Sequence, residues 1–248
     1  QEGKATISTA ICTRDDIMTY LIGMGLDSEE SFKIMEAVRK GMVARGKCKD
    51  WDVWKKDMLD HNVPDWYVWS CEKIQYMFPK AHAAAYVMMG WRIAYCKVNY
   101  PLAYYCAFFS IRASAFSYEI MCQGREHLER ILADYRKRSD TLTNKEQDAV
   151  RDMRIVQEMY ARGFVFEPID IFRAHSRNFQ IVDGKIMPSL SSIDGLREKA
   201  ADAVMEAAKN GPFLSKDDFR SRTKVSKTVI DLMSDLELLG DIPESNQM

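Results

Sequence analysis

Residues 76–112 read YMFPKAHAAAYVMMGWRIAYCKVNYPLAYYCAFFSIR, and the helix they encode decides the rest. Pro79 suits a first helical turn, where its missing N–H costs nothing. Three alanines follow at 83–85, good helix formers with almost no bulk. The spacing predicts a helix over 79–98 with one bare face, and Pro101 restarts a shorter helix to about 112. Lys80, His82 and Tyr86 flank the bare face, and His82 and Tyr86 are four apart on one side. A cation, an imidazole and a phenol beside a helix N-terminus, which itself favours anions, suit a planar ligand that carries phosphate.

Outward from this helix the chain reads as more helices. Thr13-Arg14-Asp15-Asp16 has a hydroxyl cap with an acid three residues on, predicting a helix over 17–23. Asp27-Ser28-Glu29-Glu30 opens another to about 40, with Phe32, Ile34, Met35 and Val38 as its apolar face and Gly41 as terminator. A basic, glycine-containing loop at 42–49 leads to a helix over 51–59. Asn62-Val63-Pro64 breaks it, and Asp65 caps a fourth over 66–77. The five tryptophans all fall within residues 51–91, predicting an aromatic core. Downstream, helices are expected over 126–137 and 144–162. Segments 164–166 and 179–187 are β-like, with Asp183-Gly184 as a hairpin turn. Residues 190–207 read as two short helices joined by a hairpin at Ile193-Asp194-Gly195-Leu196. A degenerate copy spans 213–240, with Lys224-Val225-Ser226-Lys227 as its hairpin. Such hairpins offer backbone N–H groups and a helix start to phosphate.

With 248 residues the chain suits one large domain or two smaller ones, and 47% hydrophobic with 29% charged residues describes a soluble globular protein. The net charge of −1 hides an uneven spread: residues 39–112 carry +6 and residues 189–248 carry −3. The six cysteines lack metal-ligand spacing, and no secretory signal is evident, so reduced thiols in the cytoplasm are expected. The most apolar run, 102–111, is too short to span a membrane. The chain opens without Met and reads as part of a longer protein. Asp15-Asp16 and Asp217-Asp218 read as first-turn capping residues, not metal ligands. No convergent carboxylate set appears, so no catalytic and no metal-binding residue is assigned.

PKAHAAAY, the following WRIAYCKVNYPLAYYCAFFS, and upstream RDDIMTYLI and FKIMEAVRKG resemble the bacterial replicative DNA polymerase III alpha subunit in its PolC type. The resemblance covers nearly the whole chain and places it at the C-terminal end of that much larger enzyme. It implies a mainly α fold: a helical fingers domain over 1–162, a small β-containing connector over 163–188, and a tandem helix-hairpin-helix DNA-binding module over 189–248. It implies a part of a DNA-directed DNA polymerase whose partners are primer-template DNA, an incoming deoxynucleoside triphosphate, and the palm and thumb of the same chain. Lys80, His82 and Tyr86, with Arg39 and Lys40, would bind the nucleotide. Magnesium would sit in the palm, outside this chain, so the chain alone is expected to be inactive. Family members end in a Gln-x-Ser-Leu-Phe-like peptide that docks in the sliding clamp. Here only Gln247-Met248 would remain, so clamp binding is not expected.

Plainer readings stand beside these. His82 also fits a packing residue, and Tyr86 a core residue. Arg39, Lys40, Arg45, Lys47, Lys49, Lys55 and Lys56 form either a solvated face or a phosphate surface. Arg14 is a further basic candidate. The first hairpin reads Gly195-Leu196-Arg197 where the motif expects Gly-hydrophobic-Gly. Arg197 crowds the backbone's approach to phosphate, although its guanidinium is itself a phosphate ligand. Arg220, Arg222, Lys224 and Lys227 make the second hairpin the better DNA contact. A stand-alone DNA-binding module and a protein–protein scaffold built on the aromatic cluster remain alternatives.

Overall fold

Asp27 opens its helix as the sequence asks, its carboxylate accepting the N–H groups of Glu29 and Glu30 at 2.9 and 3.0 Å. The computed structural model describes residues 3–6 and 8–245, and the described chain is mainly helical. It divides into two compact units, residues 1–92 and 93–248, with the division falling inside one long helix.

The first unit holds α1 (Arg14–Gly23), α2 (Ser28–Arg39), α3 (Trp51–Asp60), α4 (Asp65–Cys71) and the start of α5 (Lys80–Asn99). Its core is aliphatic. Ile17 and Leu21 on α1 and Ile34 and Val38 on α2 are i,i+4 pairs, all fully buried against Met58, Tyr67 and Val68. Tyr20 stacks on Tyr67 with ring centroids 4.2 Å apart. The expected tryptophan core does not form. Trp51, Trp54 and Trp66 line the rim, and Trp69 and Trp91 are 59% and 73% exposed. On α4 the inward row is Tyr67 and Cys71, which turns Trp66 and Trp69 away from the centre. Phe32, expected on the buried face of α2, is also outside the core.

Helix α4 stops at Cys71, six residues earlier than its pattern predicts, because the next segment spends its backbone elsewhere. Met77 N–H donates to the Arg39 carbonyl at 3.0 Å, and the Phe78 carbonyl accepts from Arg14 N–H at 3.2 Å. Pro79 also steers Phe78 away from helical backbone. Gly41 makes this route possible. It has φ +66°, and a Cβ there would stand 2.2 Å from the Gln75 carbonyl oxygen.

The second unit contains α6 (Pro101–Ile111), α7 (Tyr118–Met121), α8 (Arg125–Lys137) and α9 (Asn144–Ala161), then β1 (Gln180–Val182) and β2 (Lys185–Met187). A 3-10 turn at Leu190–Ser192 leads to α10 (Glu198–Ala208), α11 (Lys216–Thr223) and α12 (Lys227–Asp235). Thr143 and Glu146 cap α9 reciprocally. The two strands pair antiparallel through Asp183 and Gly184, both at positive φ, as a tight two-residue hairpin requires. Two cores form here. One joins α6, α8 and α9 through Tyr105, Phe109, Leu128 and Met153, and the other joins α10, α11 and α12 through Val204, Phe219 and Met233. Among the described residues no helix is long and apolar enough to cross a membrane.

The contact at Gly41 makes a testable pair. Gly41→Ala meets both an unfavourable backbone conformation and a backbone clash, and should cost about 3 kcal/mol or more. Gly46→Ala has the same φ of +66° with open space around it, and should cost only about 1 kcal/mol. Urea unfolding midpoints of the two variants give the comparison, and equal losses would disprove the role of the Gln75 contact.

Candidate nucleotide and nucleic-acid surfaces

The N-terminus of α5 is closed by a carboxylate from α1. Asp15 accepts the Lys80 N–H at 2.7 Å, and the Lys80 ammonium lies 3.1 Å from Asp16. Lys80 in a first turn opposes the helix dipole, and the adjacent acids offset that penalty. Asp16 also accepts the Thr13 N–H at 2.7 Å, so it caps α1 as its spacing predicts. Burial works against ionising Asp16, but the Thr13 N–H and hydroxyl and the Lys80 ammonium together hold its carboxyl below the usual range.

Lys80, His82 and Tyr86 all remain exposed, and no residue of α5 is buried. His82 is no core residue. It lies between two rings, stacked on Phe78 at 4.9 Å and tilted against Tyr86 at 4.5 Å, with Tyr76 edge-on to Phe78 at 5.0 Å. This forms a four-ring ladder along the start of α5. A cleft of about 480 Å³ opens beside Lys80, lined by Thr13, Thr19, Tyr20 and Tyr67. The Tyr67 hydroxyl has no hydrogen-bond partner among the described residues, and burial pushes its phenol well up.

Arg39 and Lys40 are already engaged. Both bind Glu36, Arg39 by a fork whose Nη2 arm is 2.9 Å and Lys40 at 2.8 Å, and Arg14 approaches the same carboxylate at 3.7 Å. Arg14 in turn lies 3.9 Å from Asp15. The structure therefore joins Lys80, Arg14, Arg39 and Lys40 in one ion network threaded on Asp15, Asp16 and Glu36. The sequence reading missed the acids' part in it. Their only signal was two first-turn carboxylates followed, far along the chain, by a first-turn lysine.

In the second unit the two hairpins differ. At the first, Ile193 and Leu196 are buried and Gly195 has φ +84°. A Cβ on Gly195 would stand 3.0 Å from a Val229 methyl. The segment before this hairpin is only the short 3-10 turn. Asp194 accepts from the Ser117 hydroxyl at 2.5 Å. Arg197 is the exposed residue that begins α10. The acids of α10 are less available than the sequence suggests, since Arg177 pairs with Asp202 at 2.6 Å and Glu198 at 3.1 Å. Arg197 and Lys199, with no ion pair among the described residues, line an open cleft of about 920 Å³.

The second hairpin is a full helix–turn–helix of α11 and α12, turned at Lys224 in the left-handed conformation with φ +60°. Arg220, Lys224 and Lys227 are exposed and form no ion pair among the described residues. Arg222 differs. Its guanidinium lies 4.3 Å over the Phe213 ring and donates to the carbonyls of Pro212 at 3.1 Å, Gly211 at 3.2 Å and Ala207. It braces the turn after α10. The expected clamp-docking residues Gln247 and Met248 lie outside the described residues. Among the described residues no group of three or more His, Cys, Asp and Glu side chains is placed to hold a metal ion.

Comparison with known proteins gives two results. A family model described as a helix-hairpin-helix motif matches residues 163–247. Proteins named DNA polymerase III PolC-type match over the whole chain. That of Caldanaerobacter subterraneus subsp. tengcongensis is 44% identical over 248 residues, and that of Streptococcus agalactiae is 43% identical over 250. That of Bacillus cereus is 43% identical over 246 residues. The chain spans 17% of the length of each of these relatives.

The ion network carries a pH signature. The Arg39 fork holds the Glu36 carboxyl down at about 2, against an ordinary 4.5. A depressed folded-state value contributes stability above the unfolded value and loses it as pH falls through the folded one. Glu36→Gln should therefore cost about 1 kcal/mol at pH 7. The gap to the parent chain should close between pH 4.5 and about 2. Denaturant midpoints across that range measure it, and a pH-independent gap would show that the charge of Glu36 is not what stabilises.

Proposed function

The chain is homologous over its whole length to a segment of the DNA polymerase III PolC-type family, and from that premise we propose that it supplies the nucleotide-gripping and duplex-gripping surfaces of a replicative DNA polymerase. The observation that carries the nucleotide part is Lys80 at the first position of α5 beside the exposed His82–Tyr86 ladder. The ammonium holds the triphosphate, and the rings and the bare alanine face take the flat base pair. Arg39 and Lys40 support this site electrostatically from across Glu36.

In this reading the surface acts by positioning and charge stabilisation. Binding a polyanion means competing with Asp15 and Asp16 for Lys80, so those acids weaken the grip on any anion too small to displace them. Magnesium would supply phosphoryl-transfer chemistry from the palm of the parent enzyme. The rest of the polymerase chain covers the flanks of α5, where Met88, Trp91, Ile93, Tyr95 and Val98 are each more than half exposed. The scaffold alternative draws on the same side chains, and the relatives' much greater length favours intramolecular packing.

Two measurements test the two halves. Lys80→Ala should weaken binding of a fluorescent deoxynucleoside triphosphate about tenfold, as expected for a lost charged contact. An unchanged affinity removes the nucleotide site from α5. For duplex DNA, Lys224→Ala with Lys227→Ala should lower the log–log salt slope by about 1.8, or 0.9 per lost phosphate contact. Arg197→Ala should change it by no more than about 0.9. If Arg197→Ala has the larger effect, the first hairpin is the working one.

A further inference from the structure

The end of α2, the turns that follow it and the start of α3 enclose an open cleft of about 510 Å³. The floor is aromatic: Phe32 is 49% exposed, and Trp54 is half-buried with no hydrogen-bond partner for its indole N–H among the described residues. The rim is basic: Lys33, Lys40, Lys47 and Lys49 against the carboxylates of Glu36 and Asp50, although Lys33 is paired with Glu29 at 2.7 Å, so a strand's phosphate would have to exchange for that partner. Glu36 is already neutralised by Arg39 and Lys40, and Lys47 and Lys49 form no ion pair among the described residues. The rim is fixed in place. Met42 N–H donates to the Ala37 carbonyl at 2.9 Å and Lys47 N–H to the Met42 carbonyl at 2.8 Å, which folds the lysine-bearing turns back onto α2.

We propose that this cleft binds single-stranded nucleic acid, with Phe32 and Trp54 stacking an unpaired base while Lys33, Lys40, Lys47 and Lys49 hold the phosphates on either side. An exposed aromatic floor in a basic groove is the chemistry that takes an unpaired strand without regard to sequence. A duplex does not offer this contact, because its base faces are covered by their neighbours. A free nucleotide fits less well. Lys33 and Lys40 are two helical turns, about 10 Å, apart along α2, which spreads charge along the cleft instead of gathering it at one end. A strand of bases and phosphates satisfies both features, whereas an acidic peptide satisfies the rim and leaves the flat floor without a flat partner. The cleft goes beyond the nucleotide and duplex surfaces, and its residues other than Lys40 belong to neither.

The test is fluorescence anisotropy of the whole chain with a labelled oligothymidylate, an abasic strand of equal length and a duplex. Phe32→Ala should weaken oligothymidylate binding about tenfold at fixed salt without altering the salt slope. Lys47→Ala with Lys49→Ala should lower that slope by about 1.4, or 0.7 per contact on a single strand. The abasic strand should bind about tenfold more weakly and be indifferent to Phe32→Ala. Phe32 and both lysines are outside the core, and far-UV circular dichroism of the variants should match the parent. Binding of oligouridylate in the same Phe32-dependent way also supports the proposal. Equal binding of the abasic strand, unchanged affinity in both variants, or better displacement by an acidic peptide than by unlabelled strand overturns it. Duplex affinity unaltered by these variants separates the result from the second-hairpin reading, which stands or falls on Lys224 and Lys227.

Discussion

The organisation of the first unit depends on one contact between residues 65 positions apart, the Asp15 carboxylate on the N–H of Lys80. It does three things at once. It satisfies a backbone donor at the start of α5 that Pro79 and the chain before it leave open. It places α5 beside α1, with the Phe78 carbonyl on Arg14 N–H as the second tie. It also brings the Lys80 ammonium to Asp16, which is already committed to capping α1. Residues 74–79 are held extended between these ties and the Gln75 approach to Gly41. One acidic dipeptide thus joins the element that packs to the element that is displayed.

Local signals in the sequence read well wherever one residue answers to its near neighbours. Asp27 and the Asp183-Gly184 turn formed as their spacing demanded. The alanine-faced helix fell within a residue of its expected bounds. Readings that depended on distant partners fared worse. The end of α4 is set by Arg39 and Gly41, not by its own periodicity. The tryptophans cluster in sequence, but Ile17, Leu21, Ile34 and Val38 take the interior because their i,i+4 rows face each other. Arg222 sits in a basic run that reads as a DNA face, and its ring contact with Phe213 and its carbonyl partners were not legible from that run. Charge type was legible in each case, and the partner was not.

The two hairpins illustrate how similar backbones acquire different surfaces. Gly195 is needed because α12 packs on it through Val229, so that glycine serves the interior of the module as much as any ligand. The second hairpin turns at Lys224 without glycine, accepting a left-handed lysine. That choice costs about 1 kcal/mol of backbone strain. In return it places a cation at the apex of the turn, where glycine would offer only backbone.

Helix α5 runs for twenty residues without burying one of them. Its outward side chains therefore contribute almost nothing to the folding equilibrium of the chain that carries them. A substitution of Trp91, Tyr95 or Val98 by another helix former removes no buried contact within this chain and should shift its stability by only about half a kcal/mol. Its effect would appear only when the helix met what it serves. Within this chain the outer surface of α5 is free of the packing constraint that shapes a protein core. Its sequence is a record of assembly and use, written on a part of the molecule that folding does not edit.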